Sequence, residues 1–492
     1  MTLKSQSSII AAESQWPGAL FDGAWRPARG GDLTVTDKAS GATLATVGLG
    51  TAADVPELTR KASLAQAAWS LEPPQKRARI MHAAARLVEA RWEFIAEWIM
   101  RETGAVRPKA DFEISSVVSF IDNSALMLAS SQTIAVPAAG TLFSYIERVP
   151  LGTVGVISPF NFPLVLSMRA VAPALATGNA VVLKPDPQTP VSGGLLMADL
   201  LAEAGIPAGL FCVIPGGADV GQSLCLDSRI NMIAFTGSTN AGRRVGELAG
   251  RTLKKVSLEL GGKNALIVLE DADLELAVSA ASYGAFLHQG QICMASGRIL
   301  VQDTIADEFV TKLVQHAKRL PAGDPMFGTV ALGPLINQYQ NHRVRNLVDE
   351  TVKAGARLRA GGQANGVFFE ATVLDGVTPG MMTFDQEIFG PVASVTRFST
   401  DAEAIALANS GEFGLSASVI SRSIDRALRL GRSLRTGMLH INDQTVVHEA
   451  HIPFGGMGAS GNGGRIGGPA NWEEFTQWRW VTVKSAPPAY PF

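Results

Sequence analysis

Only three cysteines occur in 492 residues, and no two of them form a CxxC pair. A disulfide framework is thereby excluded, and the usage fits a reducing compartment, which we read as the cytoplasm. Charge of one sign is equally short: 42 Lys and Arg stand against 44 Asp and Glu, with no long like-charge run. Neither a nucleic acid nor an anionic membrane surface finds an electrostatic footprint here. Long uninterrupted apolar runs are missing too. The first 20 residues carry one lysine and no apolar core of signal-peptide length. Prolines, glycines, serines, Asn123 and Asn161 break the uncharged stretches 123–146 and 149–168, so neither reads as a membrane span.

A dinucleotide fingerprint in its usual strand-to-helix setting is also lacking. Gly456-Met457-Gly458-Ala459-Ser460-Gly461 matches GxGxxG in form, yet it follows Pro453-Phe454 and runs into more glycine. His448-Glu449-Ala450-His451 resembles a zinc helix, but its histidines are three apart instead of four and a proline follows at 453. We expect loop there, and no metal.

What is present is a chain with 47% hydrophobic and 17% charged residues, enough to bury two or three domain-sized cores. Its clearest organisation lies between 153 and 260. Residues 153–158, 180–184, 210–214, 232–235 and 255–258 read as strands, and 164–176, 188–204 and 240–249 as helices. Alternation of this kind predicts an α/β fold with a parallel, doubly wound sheet whose ligand binds beyond the carboxyl ends of the strands. Phe235-Thr236-Gly237-Ser238 leads from one such strand into a helix, where backbone amides and the Ser238 hydroxyl suit a pyrophosphate as well as a plain helix cap. Ser158-Pro159-Phe160-Asn161-Phe162-Pro163 and Lys184-Pro185-Asp186-Pro187 bring polar groups to the same edge, which favours the nucleotide.

Cys212 and Cys225 sit in apolar runs and read as core. Cys293 differs, because Gln289, Gly290, Gln291, Ser296 and Gly297 around it suit a loop at a cleft. Glu259, in Leu258-Glu259-Leu260-Gly261-Gly262, stands at the end of a predicted strand. A thiolate adds to a carbonyl, and a nearby carboxylate activates the water that cleaves the resulting thioester. The pair therefore points to aldehyde oxidation through an acyl-enzyme. A hydrolase built on Cys293 and His288 is the alternative of another class.

Pro159-Phe160-Asn161-Phe162-Pro163, Lys184, Phe235-Thr236-Gly237-Ser238, Leu258-Glu259-Leu260-Gly261-Gly262, Gly290-Gln291-Ile292-Cys293, Glu387-Ile388-Phe389-Gly390-Pro391 and Pro453-Phe454-Gly455-Gly456 follow one another in an order that resembles the aldehyde dehydrogenase superfamily over nearly the whole chain. Within it, Asn442-Asp443-Gln444-Thr445 and the tail from Gly461 to Lys484 are similar to bacterial benzaldehyde dehydrogenases. The resemblance implies a Rossmann-like nucleotide-binding domain at 1–127 and 151–261 and an α/β catalytic domain at 262–461. A small β bridging element at 128–150 and 478–492 would make a homodimer or homotetramer by pairing its last strand with a neighbouring subunit. It also implies NAD, with NADP possible, as the hydride acceptor, and an aldehyde, aromatic by the narrower match, as the substrate; an aliphatic or broad range is the alternative.

The implied roles follow. Cys293 is the nucleophile, Glu259 the base for deacylation, and the Asn161 amide with the Cys293 N–H the oxyanion donors. Lys184, Ser238, Gly237, Phe160, Glu387 and Phe389 hold the cofactor, and Phe162, Leu287, His448 and Phe454 line the substrate tunnel. Two departures stand out: Pro187 replaces a glutamate that accepts from the ribose 2′-hydroxyl, and Gln477 stands where some relatives are expected to place a second glutamate beside the site.

Overall fold

The structure, a computed structural model, describes Trp16, residues 18–130 and residues 132–492. Most of the 1–20 segment, and residue 131 of the expected bridging element, therefore lie outside the described residues.

Val154, Val156, Val181, Val182 and Leu183 are buried, as strands covered on both faces by helices require. They belong to a seven-stranded sheet in the order Lys255–Glu259, Ile230–Thr236, Thr153–Ile157, Ala180–Lys184, Phe211–Val213, Ala19–Phe21, Trp25–Pro27. The first five run parallel, and the last two join antiparallel. From the central strand Thr153–Ile157 the chain winds outward to Phe211–Val213, then returns to the other side of the centre with Ile230–Thr236. That reversal opens a crevice beyond Ile157 and Thr236, where a doubly wound sheet binds its ligand.

The expected strands are found within one or two residues at each end, and the helices at 164–176 and 240–249 are observed as Pro163–Ala176 and Thr239–Gly250. The segment expected as a helix over 188–204 opens instead as a π-turn, Val191–Leu195, before the α-helix Leu196–Glu203. Buried Glu102 accepts from the N–H groups of Val191 at 2.9 Å and Ser192 at 2.6 Å, drawing that first turn toward it. The helix Ala218–Leu226 and the two antiparallel strands had no counterpart in the sequence reading. Their signals are short and are fixed by docking onto the sheet.

A second seven-stranded sheet falls wholly within the expected catalytic segment, in the order Arg357–Ala360, Thr372–Asp375, Val392–Phe398, Arg298–Gln302, Ala265–Val268, Ser416–Ile420, Met438–Ile441. A three-stranded sheet pairs Thr476–Val483 with Phe143–Pro150 and the latter with Thr133–Ala135. The final strand thus begins at Thr476, ahead of the expected 478. Arg107–Leu126 is long and apolar, yet it packs against the helices Pro74–Ala90 and Pro163–Ala176 and carries the buried pair Lys109–Glu113, which marks it as a core helix.

Candidate active site

Cys293 follows a left-handed turn. His288, Gln289 and Gly290 have φ of 47°, 55° and 66°, and a Cβ on Gly290 would meet the Gly390 carbonyl oxygen at 2.1 Å. Such backbone is held only when its surroundings over-determine it. Here the Gln289 amide donates to the carbonyls of Gly104 and Pro334 at 3.0 and 2.9 Å. Gln291 accepts from the Ile336 N–H at 3.0 Å. Asn264 Nδ2 donates to the carbonyls of Cys293 and Ala295, each at 2.8 Å. The thiol is part-buried, and its pKa is pushed up to about 12 by burial first and by the Glu387 carboxylate next.

Glu259 ends its strand, as expected, and lies buried with neither carboxylate oxygen hydrogen-bonded within the protein. Burial lifts its pKa to about 8 against the opposing pull of Arg169 and Arg465. An unpaired buried carboxylate is an unstable thing to keep, and a pKa near neutrality is what a general base requires. Asn161, also buried, donates one amide hydrogen to the Gln291 carbonyl at 2.8 Å. That bond fixes the amide plane and leaves a second N–H to donate.

Cys293, Glu259 and Asn161 line one cavity of about 210 Å³ at the crevice, together with Phe160, Gly237, Ser238, Glu387 and Phe389. Ser238 is the N-cap of Thr239–Gly250 and accepts from the Ala241 N–H at 3.4 Å, so the cavity is lined where this helix begins. Glu387 is raised to about 7 by burial, while the Gly262 N–H at 3.2 Å opposes the shift. Arg343 donates to the carbonyls of Glu387 and Ile388 at 2.5 and 2.7 Å and holds that loop, in which Phe389 has φ of 54°. Lys184 stands apart from this lining: its ammonium donates to the Pro185 carbonyl at 3.2 Å, and burial lowers its pKa.

A smaller cavity meets the first at Cys293, Asn161 and Leu166. Phe162, His448 and Phe454 line it as expected; Leu287 is not among its lining residues. His448 meets Phe454 edge-on at 5.5 Å and Phe120 at 5.0 Å, and burial holds its pKa down at about 3, so the ring is neutral.

Several lining residues went unread in the sequence. Arg169, fully buried with its guanidinium 4.5 Å from the centre of the Phe454 ring, was visible as the one charge inside an apolar helix. Phe112 reaches the cavity from Arg107–Leu126 and gave no such signal. Asn264 and Arg343 act on backbone carbonyls far along the chain, which sequence spacing does not reveal. Gln477 is exposed on the final strand opposite Val149 and lines neither cavity. His288 is buried edge-on to Phe162 at 5.3 Å and neither ring nitrogen hydrogen-bonds Cys293, which removes the Cys–His hydrolase. Residues 448–451 are loop, and no cluster of metal-ligating residues occurs among the described residues.

Comparison with known proteins gives the family. A family model described as "Aldehyde dehydrogenase family" matches residues 25–481. The chain is 50% identical over 479 residues to the benzaldehyde dehydrogenase [NAD(+)] of Pseudomonas putida, spanning 97% of this chain and 98% of that one. The crystal structure of a salicylaldehyde dehydrogenase from Pseudomonas putida G7, complexed with salicylaldehyde, superposes with a TM-score of 0.93 at 34% identity, covering 97% of this chain and 99% of that one. Betaine aldehyde dehydrogenase from Staphylococcus aureus in complex with NAD+ gives 0.94 at 29% identity, with 98% of both chains covered.

Proposed function

The chain belongs to the aldehyde dehydrogenase family and is an NAD(P)-dependent enzyme, and from that premise we propose that it oxidises benzaldehyde-like aromatic aldehydes to carboxylic acids. One observation carries the reading: Cys293 and Asn161 stand where a cavity at the strand ends meets a second one walled by Phe162, His448 and Phe454. The first suits a dinucleotide and the second a planar ring.

In this reading Cys293 Sγ attacks the carbonyl carbon, and the oxyanion is met by the second N–H of Asn161 and the Cys293 N–H. The high thiol pKa means that a proton must leave as the bond forms. A dinucleotide held along the larger cavity, which Phe160, Gly237, Ser238, Glu387 and Phe389 line, would supply the hydride acceptor. The thioester on Cys293 then falls to water deprotonated by Glu259, whose raised pKa makes it both a competent base and a weak anion near the thiol. The Ser238 and Gly237 helix start would hold the pyrophosphate, Lys184 and Glu387 the two riboses, and Phe160 with Phe389, 5.8 Å apart edge-on, would flank the nicotinamide. Free thiols at Cys212, Cys225 and Cys293 support a cytoplasmic setting.

Catalytic efficiency toward benzaldehyde, acetaldehyde and hexanal, on wild type and on Phe454→Ala, tests the substrate class. Aromatic packing adds roughly 0.5–1.5 kcal/mol beyond area burial, so benzaldehyde should lead and Phe454→Ala should erase the lead. Equal efficiencies for acetaldehyde and benzaldehyde, or an unchanged Phe454→Ala, would sink the aromatic assignment.

A further inference from the structure

We propose that the buried ion pair Lys109–Glu113 is a positioning device for Asn161 and Phe162, an inference that rests on the functional reading above. The helix Pro163–Ala176 starts without a cap of its own, because Phe162 occupies the N-cap position and its side chain makes no capping bond. The orphan amides are met from another helix. Glu113 Oε1 accepts from the Leu164 N–H at 2.8 Å and the Val165 N–H at 3.1 Å. Its other oxygen takes Lys109 Nζ at 2.5 Å, and both side chains are wholly buried. Lys109 Nζ in turn lies 4.3 Å from the centre of the Phe162 ring. The pair therefore grips the start of this helix twice, by the backbone of its first turn and by the ring at its cap.

Asn161 is the next residue back along the chain. Its amide is anchored on one side by the Gln291 carbonyl, so the direction of its second N–H depends on how the backbone enters the capped turn. Phe162 lines the cavity that would take the substrate ring and shares it with Cys293. Stability alone is a poor reason for such a pair, since a buried Lys–Glu bridge is often matched or exceeded by apolar residues of similar volume. Exact placement of an oxyanion donor is a better one, because an error of about 1 Å at a reacting centre can lower the rate about a hundredfold.

The test removes the pair without stranding a charge. In Lys109→Met/Glu113→Leu we expect unchanged NAD affinity by fluorescence titration and a somewhat lower melting temperature, because the Leu164 and Val165 N–H groups lose their acceptor. The pre-steady-state burst of reduced nicotinamide with benzaldehyde should slow by about ten- to a hundredfold. In an Asn161→Ala background the same two substitutions should slow the burst less than in wild type, only the part transmitted through Phe162 remaining. Should this variant fail to fold, Lys109→Met/Glu113→Gln, which keeps an acceptor for both amides, takes its place with a smaller slowing expected. A wild-type burst rate in whichever variant folds, or equal slowing with and without Asn161, overturns the proposal. A wild type that reduces no dinucleotide with any aldehyde overturns the functional reading itself, and the proposal with it.

Discussion

At the scale of single residues, Cys293 and Glu259 separate two halves of one turnover. Cys293→Ala should lower aldehyde oxidation by on the order of 10⁴-fold or more while dinucleotide binding stays near wild type, because the thiol forms the covalent bond without holding the cofactor. Mass spectrometry of the quenched wild type should place the acyl group on Cys293. Glu259→Gln should keep one burst of reduced nicotinamide and then stall; loss of the burst would give Glu259 a role in thiol activation and overturn the order of events. The raised pKa of about 8 also sets a pH dependence. The base form grows as pH rises through 8, so deacylation-limited turnover should climb between about pH 7 and 9 and level off. For stability the sign is opposite: between the ordinary 4.5 and 8 the native state holds a proton that the unfolded chain has released, so this group's contribution is lost as pH rises through that window. A flat turnover profile in Glu259→Gln is the control.

At the scale of elements, two loops carry predictions. The left-handed turn before Cys293 leaves no room for a side chain at Gly290, whose φ is 66° and whose Cβ would press on the Gly390 carbonyl. Gly290→Ala should therefore lower the melting temperature and turnover together, the strain alone being about 1–3 kcal/mol; a variant that loses neither would show the loop to be pliable. The other loop follows Ala180–Lys184. Pro187 offers the ribose no acceptor and a 2′-phosphate no repulsion, and Lys184 stays close by, already facing Asp186 and Asp219. Both dinucleotides should be accepted, NAD the better, with efficiencies within about a hundredfold, or ~3 kcal/mol. Pro187→Glu should widen the preference for NAD. A wild-type ratio beyond that range would locate the selection elsewhere.

At the scale of the whole molecule, the three-stranded sheet presents Phe143, Ile134 and Trp480 to the exterior, with exposed Leu142 just ahead of it. Met438–Ile441 ends the second sheet with one edge unpaired by any other described strand. Unpaired strand edges and exposed apolar patches favour association, and pairing of Thr476–Val483 with the half-buried Met438–Ile441 edge of a second copy would satisfy both at once. We expect a homo-oligomer by sedimentation at micromolar concentration, and a larger monomer fraction in Trp480→Glu. A monomeric wild type would refute this arrangement.

The sequence by itself determined the parallel sheet, because continuous runs such as Val181-Val182-Leu183 between helical stretches suit little else than a doubly buried strand. It also offered Cys293 and Glu259 as candidates, a thiol and a carboxylate in glycine-bearing segments, whereas Asn161 took its role from the family resemblance. Tertiary structure alone decided the rest. Arg169 reaches the site through the face of its helix, and Asn264 acts on it through bonds to distant carbonyls. The cap that Glu113 gives to a helix some fifty residues on belongs to this class. Local pattern records which backbone a segment prefers, whereas these contacts depend on where two remote segments are packed, and no spacing along the chain encodes that.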